Sequence, residues 1–262
     1  MLQKLIKSGK RLTPTWFKRP YWYLLERIRN PPLLQFLRVD SFRGWVAGAR
    51  FQYFTKVERR FRTLESSPDI GTSTISHNLT GLGDLASPRS SLLVRPLSVI
   101  EKLNGRSDIL SIGPRTEGEL LNLVGHGFDR RRIRGVDLIS YSPWVDLGDM
   151  HDLPYDDNSF DAVILGWTLA YSENREKATS EVIRVARDGA VVAVGVEYNP
   201  LSNEEIVEWL GYLPGNENRI TSVDQILGFF KDRVDHVYFS HEHKPTVRSQ
   251  VGSIIAIFSI RK

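Results

Sequence analysis

The chain has 262 residues with an ordinary globular composition, 41% hydrophobic and 25% charged, and a net charge of +4. It has no cysteine, which excludes disulfides and thiolate metal sites. The first residues lack the apolar stretch of a secretory signal, and no uncharged apolar run approaches the roughly 18 residues of a membrane span, so a cytoplasmic protein is expected.

Charge and aromatic residues are unevenly placed. Residues 1–65 hold 15 Lys/Arg against 4 Asp/Glu, and 12 of the 27 aromatics. A basic, aromatic-rich head therefore precedes an acidic body. The expected division is a helical extension and flexible linker over 1–91, followed by a catalytic-type domain over 92–262. The expected reading of the head is an amphipathic helix packed on the body with a solvated basic face; the alternatives are contact with an anionic membrane surface through its aromatics and basic residues, or with a nucleic acid. No nucleic-acid motif is present.

In chain order, residues 14–30 read as a short helix interrupted near Pro20 and ended by Pro31-Pro32. Residues 33–64 are predicted helical. Leu33, Leu34 and Leu37 make one face, and Phe51, Phe54, Val57 and Phe61 recur at spacings of three and four. Lys56, Arg59, Arg60 and Arg62 are expected on a solvated opposite side. Residues 66–91 are rich in Ser, Thr and Gly and read as a linker or mobile loop. Residues 92–104 read as a helix leading into the body.

From residue 108 short apolar runs alternate with helical patterns. Strands are expected at 109–113, 133–138, 160–165 and 189–196, with helices at 117–124 and 173–186. The last strand is wholly apolar, as a strand buried on both faces must be. This rhythm predicts βαβ units and a parallel sheet. The tail changes it. Helices at 203–211 and 222–231 precede strands at 234–239 and 253–260, which are joined by a loop alone and so should pair antiparallel.

Three segments carry a family resemblance. The first is Ile109-Leu110-Ser111-Ile112-Gly113-Pro114-Arg115-Thr116-Glu117-Gly118, a strand, a glycine turn and a helix start. The second is Asp137 at a strand end, with Leu138 beside it. The third is Gly148-Asp149-Met150-His151-Asp152-Leu153-Pro154-Tyr155-Asp156-Asp157-Asn158-Ser159-Phe160-Asp161. Together they resemble the class I S-adenosyl-L-methionine (SAM)-dependent methyltransferases over about residues 95–262. The resemblance implies a Rossmann-like, mostly parallel seven-stranded sheet with an antiparallel C-terminal strand. It also implies SAM as cofactor and a methyl transfer reaction.

The resemblance places Gly113 and Pro114 under the cofactor, where a missing Cβ lets the ligand approach the backbone. The first motif departs from the family pattern. Ser111 replaces the usual acidic residue, and Arg115 and Glu117 replace two glycines. Arg115 is then a candidate for the cofactor carboxylate or a phosphate, and Glu117 for its amino group; an ordinary βα turn is the alternative. Asp137 would accept the ribose hydroxyls. Asp149 would take the adenine amine, and Met150 would offer a backbone N–H and an apolar surface. Gly166-Trp167-Thr168-Leu169-Ala170-Tyr171 follow the strand expected at 160–165, and the resemblance makes this stretch line the place where SAM meets its acceptor; Trp167 and Tyr171 would pack on the cofactor or fill the sheet edge.

An oxygen acceptor benefits from a general base. The weak candidates are His151, Glu197 and Tyr198, with His241 and His243 in the tail. His241-Glu242-His243 makes a poor metal motif, and no metal is expected. The acceptor implied is a small molecule or a glycan- or lipid-linked intermediate, methylated at oxygen. The competing reading is a degenerate methyltransferase fold that binds a nucleotide-like ligand or partner without catalysis.

Overall fold

The computed structural model describes residues 32–64, 69, 73–247 and 250–262. The helix expected over 14–30 lies outside the described residues.

The first described segment is a 3-10 turn, Pro32–Arg38, followed by α1 (Asp40–Gln52) and a wide π turn at Tyr53–Val57. The expected continuous helix over 33–64 therefore breaks before Arg59, whose φ is +54°. The chain then forms β1 (Arg62–Thr63), which pairs antiparallel with β4 (Ile139–Ser140). The 66–91 stretch was expected to be a linker. Its described part instead forms α2 (Ser73–Thr80) and 3-10 turns at Gly81–Gly83 and Pro88–Ser90. It packs closely on the body. A Cβ on Gly118 would collide with the carbonyl of Leu85, so only glycine admits this approach.

The body adds α3 (Ser91–Leu97), β2 (Ile109–Ile112), α4 (Glu117–Gly125), β3 (Ile133–Asp137), β5 (Val145–Leu147) and β6 (Phe160–Gly166). It continues with α5 (Arg175–Val185), β7 (Ala186–Tyr198), α6 (Asn203–Leu210), α7 (Val223–Phe230), β8 (Val234–Glu242) and β9 (Gly252–Ile260). Seven strands form one sheet in the order β5-β3-β2-β6-β7-β9-β8. The first five are mutually parallel. β9 inserts antiparallel between β7 and β8. This is the Rossmann-like architecture expected. β5 was not foreseen, because three residues are too short to show a period.

Strand alternation divides the core in two. Val163, Leu165, Val192, Val194 and Phe258 point to the side covered by α5 and α7. Ile164, Val191, Ala193, Ile255 and Ile257 point to the side covered by α3 and α4. Leu37 and Ala47, from the N-terminal segment, join this second cluster. The described part of the basic head, residues 32–64, thus shares the core of the body.

Its charges split accordingly. Lys56, Arg59, Arg60 and Arg62 are exposed, as expected. Arg43 is fully buried, at 0% exposure. Its guanidinium donates to the carbonyls of Ala86 at 2.7 Å and Leu37 at 2.8 Å, and to the Asp40 carboxylate at 2.6 Å. One planar cation thereby ties α1, the 3-10 turn before it and the loop after α2. Removing it leaves buried acceptors unpaired. We predict that Arg43→Ala lowers stability by about 3–5 kcal/mol in urea unfolding, and that Arg43→Lys recovers only part of the loss.

Candidate functional site

A cavity of about 890 Å³, counting its open mouth, lies at the carboxyl ends of β2, β3 and β6. That is the sheet edge where doubly wound folds bind ligands.

The floor is the turn from β2 into α4. Gly113 has φ +70°, and a Cβ there would strike the Thr168 side chain on the opposite wall. Pro114 follows, and both residues line the cavity. Arg115 also lines it, in the left-handed region at φ +53°. Its backbone N–H donates to Asp137 Oδ2 at 2.7 Å. Its guanidinium lies beside Gly81 and reaches Asn78 Oδ1 at 3.5 Å. Thr116 caps α4 by accepting the Gly118 N–H.

Asp137 ends β3 at 3% exposure and lines the cavity. Its other oxygen accepts the Ile139 N–H at 3.1 Å. Burial raises its pKa to about 6, against the lowering effect of those N–H donors. Leu138, Gly148 and Met150 complete that wall. Asp149 does not line the cavity. Its Oδ1 faces His151 Nδ1 at 2.6 Å and accepts the His151 N–H at 3.0 Å. His151 is buried, with Nε2 against Ser172 Oγ at 2.7 Å. The expected adenine acceptor thus turns its carboxylate toward a neighbour two residues on, and His151 does not reach the cavity as a base.

Trp167 and Tyr171 line the opposite side. Trp167 sits at φ +62°, and its buried Nε1 has no partner among the described residues. The Arg89 guanidinium lies 4.3 Å from the Trp167 ring centre and pairs with Glu197 at 2.7 Å. Glu197 does not line the cavity; it holds Arg89 there, and its charge adds to burial in raising the Tyr171 pKa and opposes burial at His77. The Tyr171 hydroxyl meets His77 Nε2 at 3.0 Å, and His77 Nδ1 meets the Tyr212 hydroxyl at 2.7 Å. Burial and the nearby Arg115 lower the His77 pKa, while burial raises that of Tyr171.

The remaining candidates fall elsewhere. Glu117 is buried and held by Arg50, whose Nη2 donates at 2.9 Å, and by the Ser142 hydroxyl, so it points away from the cavity. Tyr198 packs against the core at the end of β7. His241 is exposed on β8 and His243 follows it, with ring centres 6.3 Å apart. No metal-holding cluster occurs among the described residues. Sequence reasoning missed Thr74, Asn78, Asp84, Ser87 and Arg89, all from the expected linker, and Glu119; Gly166 and Thr168 line the cavity within the 166–171 stretch named above. The missed signal was small: polar side chains in a Ser/Thr/Gly-rich stretch carry no period that marks them as a wall.

A buried carboxylate at the tip of β3, a Cβ-free turn at the end of β2 and the apolar Met150 and Leu138 thus share one cavity. A methyltransferase-domain family profile matches residues 126–194. A demethylmenaquinone methyltransferase of Desulfitobacterium hafniense is 32% identical over 83 residues, 29% of this chain and 33% of that protein. A ubiquinone/menaquinone biosynthesis C-methyltransferase of Idiomarina loihiensis is 25% identical over 168 residues, 61% of this chain and 66% of that one. The chain thus spans between a third and two thirds of the length of these relatives. A Methanococcus maripaludis structure described as a candidate SAM-dependent methyltransferase superposes with TM-score 0.51 at 13% identity, covering 75% of this chain and 98% of that one. The chain is thus similar to SAM-dependent methyltransferases, in sequence over residues 126–194 and in fold over most of its length.

Glu119 is the second buried carboxylate of the cavity, and burial raises its pKa to about 7. A buried acid with a raised pKa stabilises the fold below its unfolded value, near 4, and that stability is lost as pH rises through the folded value. Asp137 and Glu119 should therefore make the ligand-free protein melt several degrees lower at pH 8 than at pH 5. Glu119→Gln should flatten the upper part of that fall in thermal unfolding.

Proposed function

We propose that the protein transfers the methyl group of SAM to a small-molecule or lipid-linked acceptor. The observation that carries this reading is the shared cavity of Gly113, Asp137, Met150 and Trp167 at the switch point of the sheet. Asp137 would hold the ribose hydroxyls, Met150 and Leu138 the adenine, and the Gly113 turn the amino-acid half. Bound there, SAM supplies an electrophilic methyl on a sulfonium, taken by in-line displacement.

The acceptor would approach past Trp167 and Tyr171, beneath α2. Such acceptors lose a proton whether methylated at oxygen, as the sequence suggests, or at ring carbon, as the names of the quinone-pathway relatives suggest. Tyr171 faces the cavity with its hydroxyl on His77, which its surroundings keep neutral near pH 7. That pair is better placed to accept the proton than His151 or Tyr198.

Calorimetry should show saturable binding of SAM and of its demethylated product. Labelled methyl should then appear on one of a set of acceptors, demethylmenaquinol and simple phenols included. Binding without transfer to any of them would favour the competing reading, a ligand-binding protein of methyltransferase fold.

The head extends the proposal to an anionic membrane surface. No described helix is long and apolar enough to cross a membrane. Yet Leu33, Phe36, Val39, Phe42 and Trp45 are exposed, Trp45 at 69%, with the Phe42 ring against both Phe36 and Trp45, and the exposed Arg59, Arg60 and Arg62 follow in the same segment. Aromatics and arginines at one surface suit lipid headgroups. Deleting residues 1–65 would also remove Arg43, so point changes are the better test. Phe42→Ser with Trp45→Ser should lower sedimentation with phosphatidylserine vesicles severalfold at low salt, and unchanged sedimentation would refute the surface.

A further inference from the structure

We infer that Glu119 receives the α-ammonium group of the cofactor's amino-acid half, a role that rests on the adenosyl reading of the cavity. Glu119 lies in the first turn of α4 and is 4% exposed, yet it lines the cavity. One carboxylate oxygen accepts the Ser111 hydroxyl at the end of β2. The other lies 2.8 Å from where a Cβ on Gly166 would sit, at the end of β6. The carboxylate therefore occupies the seam between the carboxyl ends of the two central strands. Asp137 stands across the Gly113 turn, on the β3 side.

Ser111 stands where the resembled family carries an acid. Here the helix eight residues on returns a carboxylate to that spot and bonds the serine. The charge lost from the strand is restored from the helix. A buried carboxylate with one hydroxyl donor is poorly compensated, and such groups are costly unless a cation completes them. The groups that face it are Asp137, which adds negative charge, Arg89, which opposes it at longer range, and Ser111. No protein cation donates to it in the hydrogen bonds described.

An ammonium group offers three N–H donors, whereas a sulfonium offers none. The hydrogen-bonding oxygens of Glu119 therefore select the ammonium. Glu117, the residue the altered motif suggested for this task, is already engaged by Arg50 and Ser142 on the far side of α4. Burial keeps Glu119 half protonated near neutrality, with its pKa at about 7. Ammonium binding draws it to the ionised form, so affinity for an ammonium-bearing ligand rises with pH through that value.

The test uses two probes on the full chain by calorimetry. S-adenosylhomocysteine has the adenosyl group and the ammonium; 5′-methylthioadenosine has the adenosyl group alone. Glu119→Gln should weaken S-adenosylhomocysteine by about ten- to a hundredfold, the scale of one charge-assisted hydrogen bond. Methylthioadenosine should stay within about twofold, which also reports that the variant is folded. Ser111→Asp in the Glu119→Gln background should recover affinity. In the wild-type protein, S-adenosylhomocysteine affinity should climb between pH 6 and 8 by more than methylthioadenosine affinity does, since any Asp137 titration appears in both. Equal loss for both probes, no loss for either, or identical pH profiles would overturn the assignment. Failure of the wild-type protein to bind methylthioadenosine would instead remove the adenosyl reading and the assignment with it.

Discussion

The hydrogen bond from the Arg115 backbone N–H to Asp137, 2.7 Å long, holds the cavity together. It ties the turn after β2 to the tip of β3, so the ribose-side carboxylate and the Cβ-free turn keep one spacing. Gly113 makes the turn possible with its positive φ, and Arg115 continues it in a conformation that costs most side chains energy. The guanidinium that replaces a family glycine does not fill the slot. It swings outward to Asn78 and Gly81, where it braces α2 over the mouth. A departure that threatened the cofactor site is thus absorbed by a wall the sequence did not reveal.

The legible parts are those where local pattern and tertiary role agree. β2, β6 and β7 are apolar runs because helices bury both faces, and their positions were plain. Asp137 was legible as a short acid at a strand end beside a glycine turn, and it also caps the turns there by accepting the Arg115 and Ile139 N–H groups. β5 was too short to read. The 73–91 segment was illegible because its helix is fixed by contacts to the body, such as Leu85 over Gly118, and not by its own periodicity. Asp149 shows the limit of motif reading. The segment around it places Gly148 and Met150 on the cavity, while the carboxylate between them is drawn to His151.

Glu119 was missed for a related reason. Glutamate in a first helical turn ordinarily reads as a solvated helix former favoured by the dipole. Here all nine residues of α4 are buried, because the N-terminal segment covers the side that would face water. The same covering explains Arg43 and Arg50. Both belong to the basic head, and both serve as internal ties, one to carbonyls and one to Glu117. The head is therefore joined to the site: its helix sets the environment of α4, and α4 presents Glu119 to the cavity.

The account's central claim is that one adenosyl ligand lies between Asp137 and Met150. A crystal structure of the full chain grown with S-adenosylhomocysteine tests it most directly. The account predicts ribose hydroxyls on the Asp137 carboxylate, the purine against Met150 and Leu138, and the sulfur near Trp167. Density for the nucleoside anywhere else, or a cavity that stays closed to it at saturating ligand, would contradict the claim.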